Sequence, residues 1–164
     1  MAFEIERKFL VCGQEWRKLA SAQTRVRQAY LASGEKSSTR VRIKDDSAAT
    51  LTIKARGSGL RRLEVEAPIS LIDGEALMSL RQSGLIEKVR HQVPWHRNVW
   101  EIDVFGGDNK GLIIAEIELR DEHETFERPP WLGIEVTGQS RYYNSALAQH
   151  PYAIWQRAAL LLAR

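Results

Sequence analysis

The sequence contains a single cysteine, Cys12, among its 164 residues. One cysteine excludes a disulfide framework, and no Cys and His spacing typical of a zinc site is present. We therefore expect a protein of a reducing compartment, the cytoplasm, with Cys12 in the core at the end of a first strand. Long apolar runs are also absent, so we expect no signal peptide, no transmembrane span and no membrane partner.

A large excess of charge of one sign is also absent. The chain has 24 Lys and Arg against 21 Asp and Glu, a formal net charge of +3, and both signs share the same stretches. A protein that binds nucleic acid through phosphate neutralisation usually shows a one-signed basic stripe. The pattern argues against a nucleic-acid partner and favours a site that holds cations and anions together. The length predicts a single domain over residues 1–164.

Charged and apolar residues alternate at the start of the chain. In an extended strand, Glu4, Glu6 and Lys8 would project to one face, while Ile5 and Phe9 would project to the other. Carboxylate pairs suit hard cations such as Mg²⁺ or Mn²⁺, and a neighbouring Lys suits a phosphate that such a cation holds. The pattern indicates metal-assisted chemistry on a polyanion, although Glu and Lys are also common on solvated strand faces.

The same alternation returns in six further segments, which predicts antiparallel strands with one apolar face. Residues 24–32 are predicted to form another strand, in which Tyr30 is either a hydroxyl facing an interior or a half-buried aromatic. The charged phase of the alternating segments consists of Glu4, Glu6, Lys8, Arg40, Arg42, Lys44, Lys54, Arg56, Arg62, Glu64, Glu66, Lys88, Arg90, Glu101, Asp103, Glu116 and Glu118.

Helices are predicted between and after these strands. The segments are residues 14–20, residues 70–83 with Ser70 as N-cap, a brief turn over residues 121–126, and a terminal helix over residues 151–164. The terminal helix is expected to pack its apolar side chains against the sheet through Ile154, Trp155, Ala158, Leu161 and Leu162. The stretch Pro129-Pro130-Trp131 could support a homodimer if it is exposed, or it could be a covered loop.

Two arrangements satisfy this pattern. The charged faces could meet water around a sandwich core, or the sheet could close into a barrel with a charged, wet interior and helices over its apolar outside. Periodicity does not choose between them. The charged phase contains little Ser, Thr, Gln or Asn, and the abundance of Arg, whose planar fork binds phosphate oxygens, favours the barrel.

The chain resembles the CYTH, or triphosphate tunnel metalloenzyme, superfamily. The opening Glu4-Ile5-Glu6-Arg7-Lys8-Phe9-Leu10-Val11 is similar to the signature of that superfamily. Further motifs follow in the same order over nearly the whole chain: Arg40-Val41-Arg42, Lys54, Gly59-Leu60-Arg61-Arg62-Leu63-Glu64-Val65-Glu66, Glu87-Lys88-Val89-Arg90, Glu101-Ile102-Asp103-Val104, Glu116-Ile117-Glu118, and Trp131 to Thr137 followed by Arg141-Tyr142-Tyr143-Asn144.

The resemblance implies mainly antiparallel β structure with flanking helices, closed into an eight-stranded tunnel barrel with a charged interior. It implies that Glu4, Glu6 and Glu118 bind two divalent metals, Mg²⁺ or Mn²⁺, with Glu64, Glu66, Asp103 and Glu116 as secondary ligands or water-orienting groups. Catalytic roles fall on Glu4, Glu6, Lys8, Glu116 and Glu118. Phosphate contacts fall on Lys8, Tyr30, Arg40, Arg42, Lys54, Arg62, Lys88 and Arg90.

The predicted function is metal-dependent hydrolysis of a small triphosphate, foremost inorganic tripolyphosphate to pyrophosphate and phosphate. Within the same superfamily, the alternatives are hydrolysis of thiamine triphosphate or a nucleoside triphosphate, removal of RNA 5′ γ-phosphates, and adenylyl cyclisation. No purine-reading residues can be named, which disfavours cyclisation. A polyphosphate-binding module without catalysis and a basic RNA-binding barrel are the rivals from other classes, the latter lacking aromatic stacking residues on its charged strands.

Overall fold

The computed structural model describes residues 3–57 and 59–163. In that part of the chain, nine β-strands alternate with three α-helices and short 3-10 turns. The strands are β1 (Phe3–Val11), β2 (Ala22–Ser33), β3 (Ser37–Lys44), β4 (Ala48–Ala55), β5 (Arg61–Ile69), β6 (Ile86–Trp95), β7 (Asn98–Phe105), β8 (Ile113–Glu118) and β9 (Leu132–Glu135). The helices are α1 (Leu71–Met78), α2 (Asn144–Gln149) and α3 (Tyr152–Leu162).

The first eight strands close into an antiparallel barrel. Their order is β5-β4-β3-β2-β6-β7-β8-β1, and a further pairing between β1 and β5 completes the ring. The first residues of β1 pair with β5, in the register Glu4 to Arg62. The last residues of β1 pair instead with β9, which takes over that strand edge at Phe9. The predicted eight-stranded barrel is confirmed.

Two of the three clusters of buried apolar side chains lie on the strand phase opposite to the charged one. The third, which includes Tyr30, Ile86, Phe105 and Ile114, lies on the charged phase itself and packs with Leu147 of α2. The largest contains Phe9, Trp100 and Trp131, whose rings meet edge to face, together with Trp16 from the 3-10 turn Glu15–Leu19. Because the side chains of the largest cluster fill the space between the barrel and its surrounding segments, the interior is shared between the charged residues and the cluster around Ile86 and Ile114.

Helix α1 covers β3 and β4, but it is shorter than predicted. The N-cap prediction is confirmed, since the hydroxyl of Ser70 accepts a hydrogen bond from the Asp73 amide at 3.0 Å. The helix ends at Met78 because the amides of Ser79 and Leu80 bond three residues back, which tightens the last turn. Leu80 is 65% exposed, so its predicted apolar contact is wrong.

The terminal helix forms, and of its five side chains predicted to pack, Trp155 does so while the other four do not. Pro151 precedes α3 as its N-cap, and only Tyr152 and Trp155 pack against a core cluster. The helix then continues past the barrel, so its remaining apolar side chains have no sheet beneath them. Exposure is 57% for Ile154, 72% for Leu161 and 88% for Leu162, and Ala158 is also exposed. Arg164 lies outside the described residues.

Three smaller predictions are also corrected or decided. Residues 121–126 form a turn rather than a helix, because Glu124 folds its carboxylate back onto the Arg120 amide at 2.7 Å. Cys12 is exposed, since β1 ends one residue before it. Pro129 and Trp131 are buried, so this stretch is a covered loop. A homodimer and the single domain over residues 1–164 stay predictions.

No helix in residues 3–57 and 59–163 is long and apolar enough to span a membrane.

Candidate active site

Side chains from all eight barrel strands line one cavity of about 360 Å³. Most predicted site residues meet there, which confirms the charged interior. The predicted residues in the lining are Glu4, Glu6, Lys8, Tyr30, Arg40, Arg42, Lys54, Arg62, Glu64, Arg90, Glu116 and Glu118. Glu66, Lys88 and Asp103 are not part of it.

One side of the tunnel is acidic because the strand register brings like charges together. Glu6 on β1 stands directly opposite Glu118 on β8, and Glu116 stands opposite Glu101 on β7. Directly opposed like charges destabilise a sheet unless a cation lies between them. Partial burial raises the pKa of the Glu118 carboxyl, although the residue is still exposed to solvent, and Glu4, Glu101 and Glu6 raise it further. The acidic side is therefore a place where a cation would be stabilised.

Two lysines occupy part of this acidic side. The Lys8 ammonium lies 2.7 Å from Glu116 and 3.2 Å from Glu6. Burial disfavours its charge, but these carboxylates outweigh burial and raise the pKa of Lys8. The Lys54 ammonium lies 2.6 Å from Glu4, and it also gains charge stabilisation from Glu6, so the pKa of Lys54 is raised despite burial. Both side chains are ammonium ions at neutral pH.

The donor set fits a hard divalent cation in its chemistry. Carboxylate oxygens are the ligands that Mg²⁺ and Mn²⁺ prefer, and five Glu side chains from β1, β7 and β8 line this side: Glu4, Glu6, Glu101, Glu116 and Glu118. In the described part of the chain, no three acidic, His or Cys side chains already converge as a metal site. Glu4, Glu6 and Glu116 bind lysines here, so coordination by these three would require them to turn from the ammonium groups.

The other side of the tunnel is basic, and Arg42 differs from Arg40 and Arg90 there because it lacks a carboxylate partner among the residues described. Its Nε donates to the buried Gln28 amide oxygen at 3.0 Å, and no carboxylate of the described residues lies within 4.0 Å of it. Burial lowers the pKa of Arg42 to about 10, with Arg40 and Arg90 contributing by repulsion. Arg40, Arg42 and Arg90 therefore bring together three guanidinium groups that repel one another, and such a group of positive charges forms a site for a polyanion.

Lys88 and Asp103 lie beneath the lining rather than in it. Their side chains are completely buried and form an ion pair of 2.6 Å, while Lys88 also donates to Asn144 at 3.2 Å. Asp103 accepts two bonds from Arg90, at 2.7 and 2.8 Å. Because both side chains are enclosed by protein, this placement gives no support to the predicted phosphate contact of Lys88 or the predicted metal contact of Asp103. They instead hold Arg90, which reaches Glu101 and Glu116 in the tunnel.

Tyr30 and Glu66 complete the account of the predicted residues. Tyr30 is 7% exposed, packs in the apolar cluster with Ile86 and also borders the tunnel, so both alternatives for it hold in part. Glu66 stands at the margin, where its carboxylate accepts a bond of 3.0 Å from the Thr52 hydroxyl. Its prediction as a metal ligand has no support in this placement.

Comparison with known proteins agrees with this geometry. A model of the CYTH domain family matches residues 2–152. This chain belongs to the CYTH domain family. A protein named inorganic triphosphatase from Acetivibrio thermocellus is 42% identical, covering 93% of this chain and 97% of its own. One of the same name from Nitrosomonas europaea is 35% identical, covering 88% and 96%. A crystal structure of an inorganic triphosphatase superposes with a TM-score of 0.64 at 31% identity, covering 90% and 95%.

Sequence reasoning missed several residues of this CYTH tunnel. Glu101 belonged to the charged alternation and could have been assigned, since it stands opposite Glu116. The C-terminal segment 140–149 is neither alternating nor charged along its lining, and its signal was the family resemblance of Arg141-Tyr142-Tyr143-Asn144, which assigned it no role in the tunnel. It contributes Ser140, Tyr143, Asn144, Ser145, Ala146 and Gln149 to the tunnel wall. Only the fold brings these residues to the charged strands.

Proposed function

We propose that this CYTH protein is a divalent-metal-dependent hydrolase of inorganic tripolyphosphate that releases pyrophosphate and phosphate. The observation that carries the proposal is one tunnel in which Glu118 opposes Glu6 and Glu116 opposes Glu101, while Arg42 and Arg62 have no carboxylate of the described residues within 4.0 Å. A metal complex of a linear polyphosphate has the matching distribution of charge. The two relatives named inorganic triphosphatase support the choice of substrate.

Each side of the tunnel then has a role. We assign metal binding to Glu4, Glu6 and Glu118, with Glu64, Glu101 and Glu116 as further carboxylates within the lining. A divalent cation bound there would neutralise phosphate charge and lower the pKa of a bound water. The number of ions, two, and their identity, Mg²⁺ or Mn²⁺, are part of the proposal.

The basic residues bind and orient the phosphates. Arg40, Arg42 and Arg90 would contact the equatorial oxygens of the terminal phosphoryl group, where charge develops in the transition state. Lys8 and Lys54, released from their carboxylates by the metal, would contact bridging and leaving oxygens. Lys88 and Asp103 position Arg90 rather than contact substrate. These assignments require no covalent enzyme intermediate.

In the reaction, a water oxygen bonds to the terminal phosphorus while the bond from that phosphorus to the bridging oxygen breaks. The bond electrons leave with pyrophosphate, and the proton of the water passes to one of the tunnel carboxylates. The arrangement of the arginines keeps the phosphoryl group in line with the attacking water.

Phosphate release from tripolyphosphate, ATP and thiamine triphosphate, each with Mg²⁺ and with Mn²⁺, tests the proposal. We expect tripolyphosphate to give the highest kcat/KM and Glu118→Gln to abolish metal-dependent release. Glu122→Gln, an exposed carboxylate in the 119–131 loop, is the matched control and should retain activity. Thermal stabilisation by tripolyphosphate without turnover under any metal would instead identify a binding module.

A further inference from the structure

The C-terminal segment 140–149 meets the barrel at two opposite places. Helix α2 packs on β2 and β6, and its residue Ala148 accepts a bond of 2.9 Å from the Gly84 amide just before β6. Asn144 accepts a second bond, of 3.2 Å, from Lys88 on β6. With Leu147 and Ala148 buried in the core, the segment is fixed to this side of the ring.

The second meeting place is Arg62 on β5. Its Nη2 donates to the Tyr143 hydroxyl at 2.6 Å, and its guanidinium carbon lies 4.7 Å from the centre of the Tyr143 ring. In the strand order, β5 and β6 are four positions apart in either direction around the eight-stranded ring. The contact between Arg62 and Tyr143 therefore crosses the tunnel, and we name this pair the crossbar.

The crossbar differs from the other ionic contacts of the tunnel. Lys8, Arg40, Lys54 and Arg90 each lie within 4.0 Å of a carboxylate, whereas the described residues offer Arg62, like Arg42, no such partner. Its positive charge stays available for an anion. The Tyr143 hydroxyl accepts from Arg62 and keeps its own proton to donate to a phosphate oxygen.

The crossbar is unsuited to an aromatic group. Two aromatic side chains line the described tunnel, Tyr30 and Tyr143. Tyr30 is 7% exposed and packed in a core cluster, and the ring of Tyr143 already has the Arg62 guanidinium beside it. A nucleobase entering at this end would compete with the Arg62 guanidinium for the Tyr143 ring, while an unsubstituted phosphate would find a guanidinium and a hydroxyl.

We propose that Tyr143 is a specificity-determining residue that, through the crossbar with Arg62, admits the unesterified end of a linear polyphosphate and excludes a triphosphate ester such as ATP. This inference rests on the proposed function and adds the substrate class that one end of the tunnel accepts. Tyr143→Phe removes the hydroxyl and keeps the ring, whereas Tyr143→Ala removes both.

The chain provides a matched control one residue away. Arg141 donates to the Tyr142 hydroxyl at 3.1 Å and lies 5.0 Å from that ring centre, outside the tunnel lining. Tyr142→Phe therefore removes the same kind of bond without touching the crossbar. Melting temperatures of all three variants show whether the fold is retained.

The measurement is kcat/KM for tripolyphosphate and for ATP under one metal. Tyr143→Phe should lower the value for tripolyphosphate about tenfold, mainly through KM, because a hydrogen bond to a charged group is lost. Tyr143→Ala should lower the ratio of kcat/KM for tripolyphosphate to kcat/KM for ATP by at least about tenfold. Tyr142→Phe should leave this ratio within about twofold of the wild-type value. An unchanged ratio in Tyr143→Ala, or an equal change in Tyr142→Phe, overturns the inference.

A binding measurement separates this inference from the proposed function. If the wild-type protein releases no phosphate from tripolyphosphate, the proposed function fails. The rise in melting temperature with tripolyphosphate and with ATP, measured in metal-free buffer, then still tests the crossbar. The inference stands if Tyr143→Ala increases the stabilisation by ATP relative to that by tripolyphosphate, and it fails if the two rises keep their wild-type ratio.

Discussion

Two glutamates on the same strand should respond to the same substitution with opposite changes in stability. Glu116 is buried and paired with Lys8 and Arg90, which lower its pKa well below the ordinary value despite burial. Glu118, two residues later, faces Glu6 and has a raised pKa. We expect Glu116→Gln to destabilise the metal-free protein and Glu118→Gln to stabilise it.

The magnitudes follow from burial. Breaking a buried ion pair by removing one partner costs about 3–5 kcal/mol, and since Gln can still accept a hydrogen bond we expect about 2–4 kcal/mol for Glu116→Gln. Glu118 is exposed, so water screens its repulsion and the gain for Glu118→Gln is about 0.5–1 kcal/mol. For a chain of this size, 1 kcal/mol shifts Tm by about 2–4 °C. The expected shifts are a loss of about 4–16 °C and a gain of about 1–4 °C.

The pH dependence of stability independently checks the sign of each of these two stability changes. The pKa of Glu118 is raised in the folded state, so its ionisation costs stability as pH rises above the ordinary carboxyl value of 4.5. The advantage of Glu118→Gln should be present at pH 7 and vanish below pH 4.5, where the carboxyl is protonated in both states. For Glu116 the pKa is lowered, so its contribution is present at pH 7 and is lost as pH falls below 4.5.

Thermal melts in metal-free buffer at pH 7 and pH 4, repeated with added Mg²⁺, measure these effects. Mg²⁺ should raise the Tm of the wild-type protein and raise that of Glu118→Gln less, because a cation that binds the folded state stabilises it. If Glu118→Gln lowers Tm as Glu116→Gln does, the carboxylates are not in mutual repulsion. The argument for a cation between them is then refuted.

Three further outcomes are expected. Arg42→Met should raise KM for tripolyphosphate at least about tenfold, since a guanidinium without a carboxylate partner is lost; an unchanged KM contradicts its phosphate role. Burial lowers the pKa of Lys88 to about 8. Relative to Lys88→Met, the wild-type protein should therefore gain stability between pH 8 and pH 10.5 in denaturant titrations. If the free energies of unfolding of the two proteins change in parallel over this range, the expectation is contradicted. Leu161→Ser should leave Tm within about 2 °C, because Leu161 is 72% exposed; a larger loss would mean that α3 is packed.

The barrel strands could be predicted because their alternation is local. The spacing of Glu4, Glu6 and Lys8 places them on one face whatever the rest of the chain does. The closure of the sheet could not be predicted from that spacing, since a sandwich satisfies the same pattern. The family resemblance supplied it, and the pairing of β1 with β5 confirms it.

A periodic pattern in the sequence also does not show how deeply a side chain is buried. Lys88 and Asp103 share the charged phase with Arg90, yet they are completely buried beneath the tunnel. The same limit explains α3, whose apolar residues predicted a packed face that the barrel does not reach. In both cases the pattern gives the direction of a side chain along its own element, and the neighbouring elements decide what it meets.

By itself, the sequence determined which residues project together from each strand and that acids and bases share one face of these strands, because side-chain direction follows from backbone geometry over a few residues. The tertiary structure decided which charges meet. Glu118 opposes Glu6 through strand register, and Tyr143 reaches Arg62 from a segment about eighty positions later in the chain. Such contacts depend on how distant segments pack, which no local spacing contains.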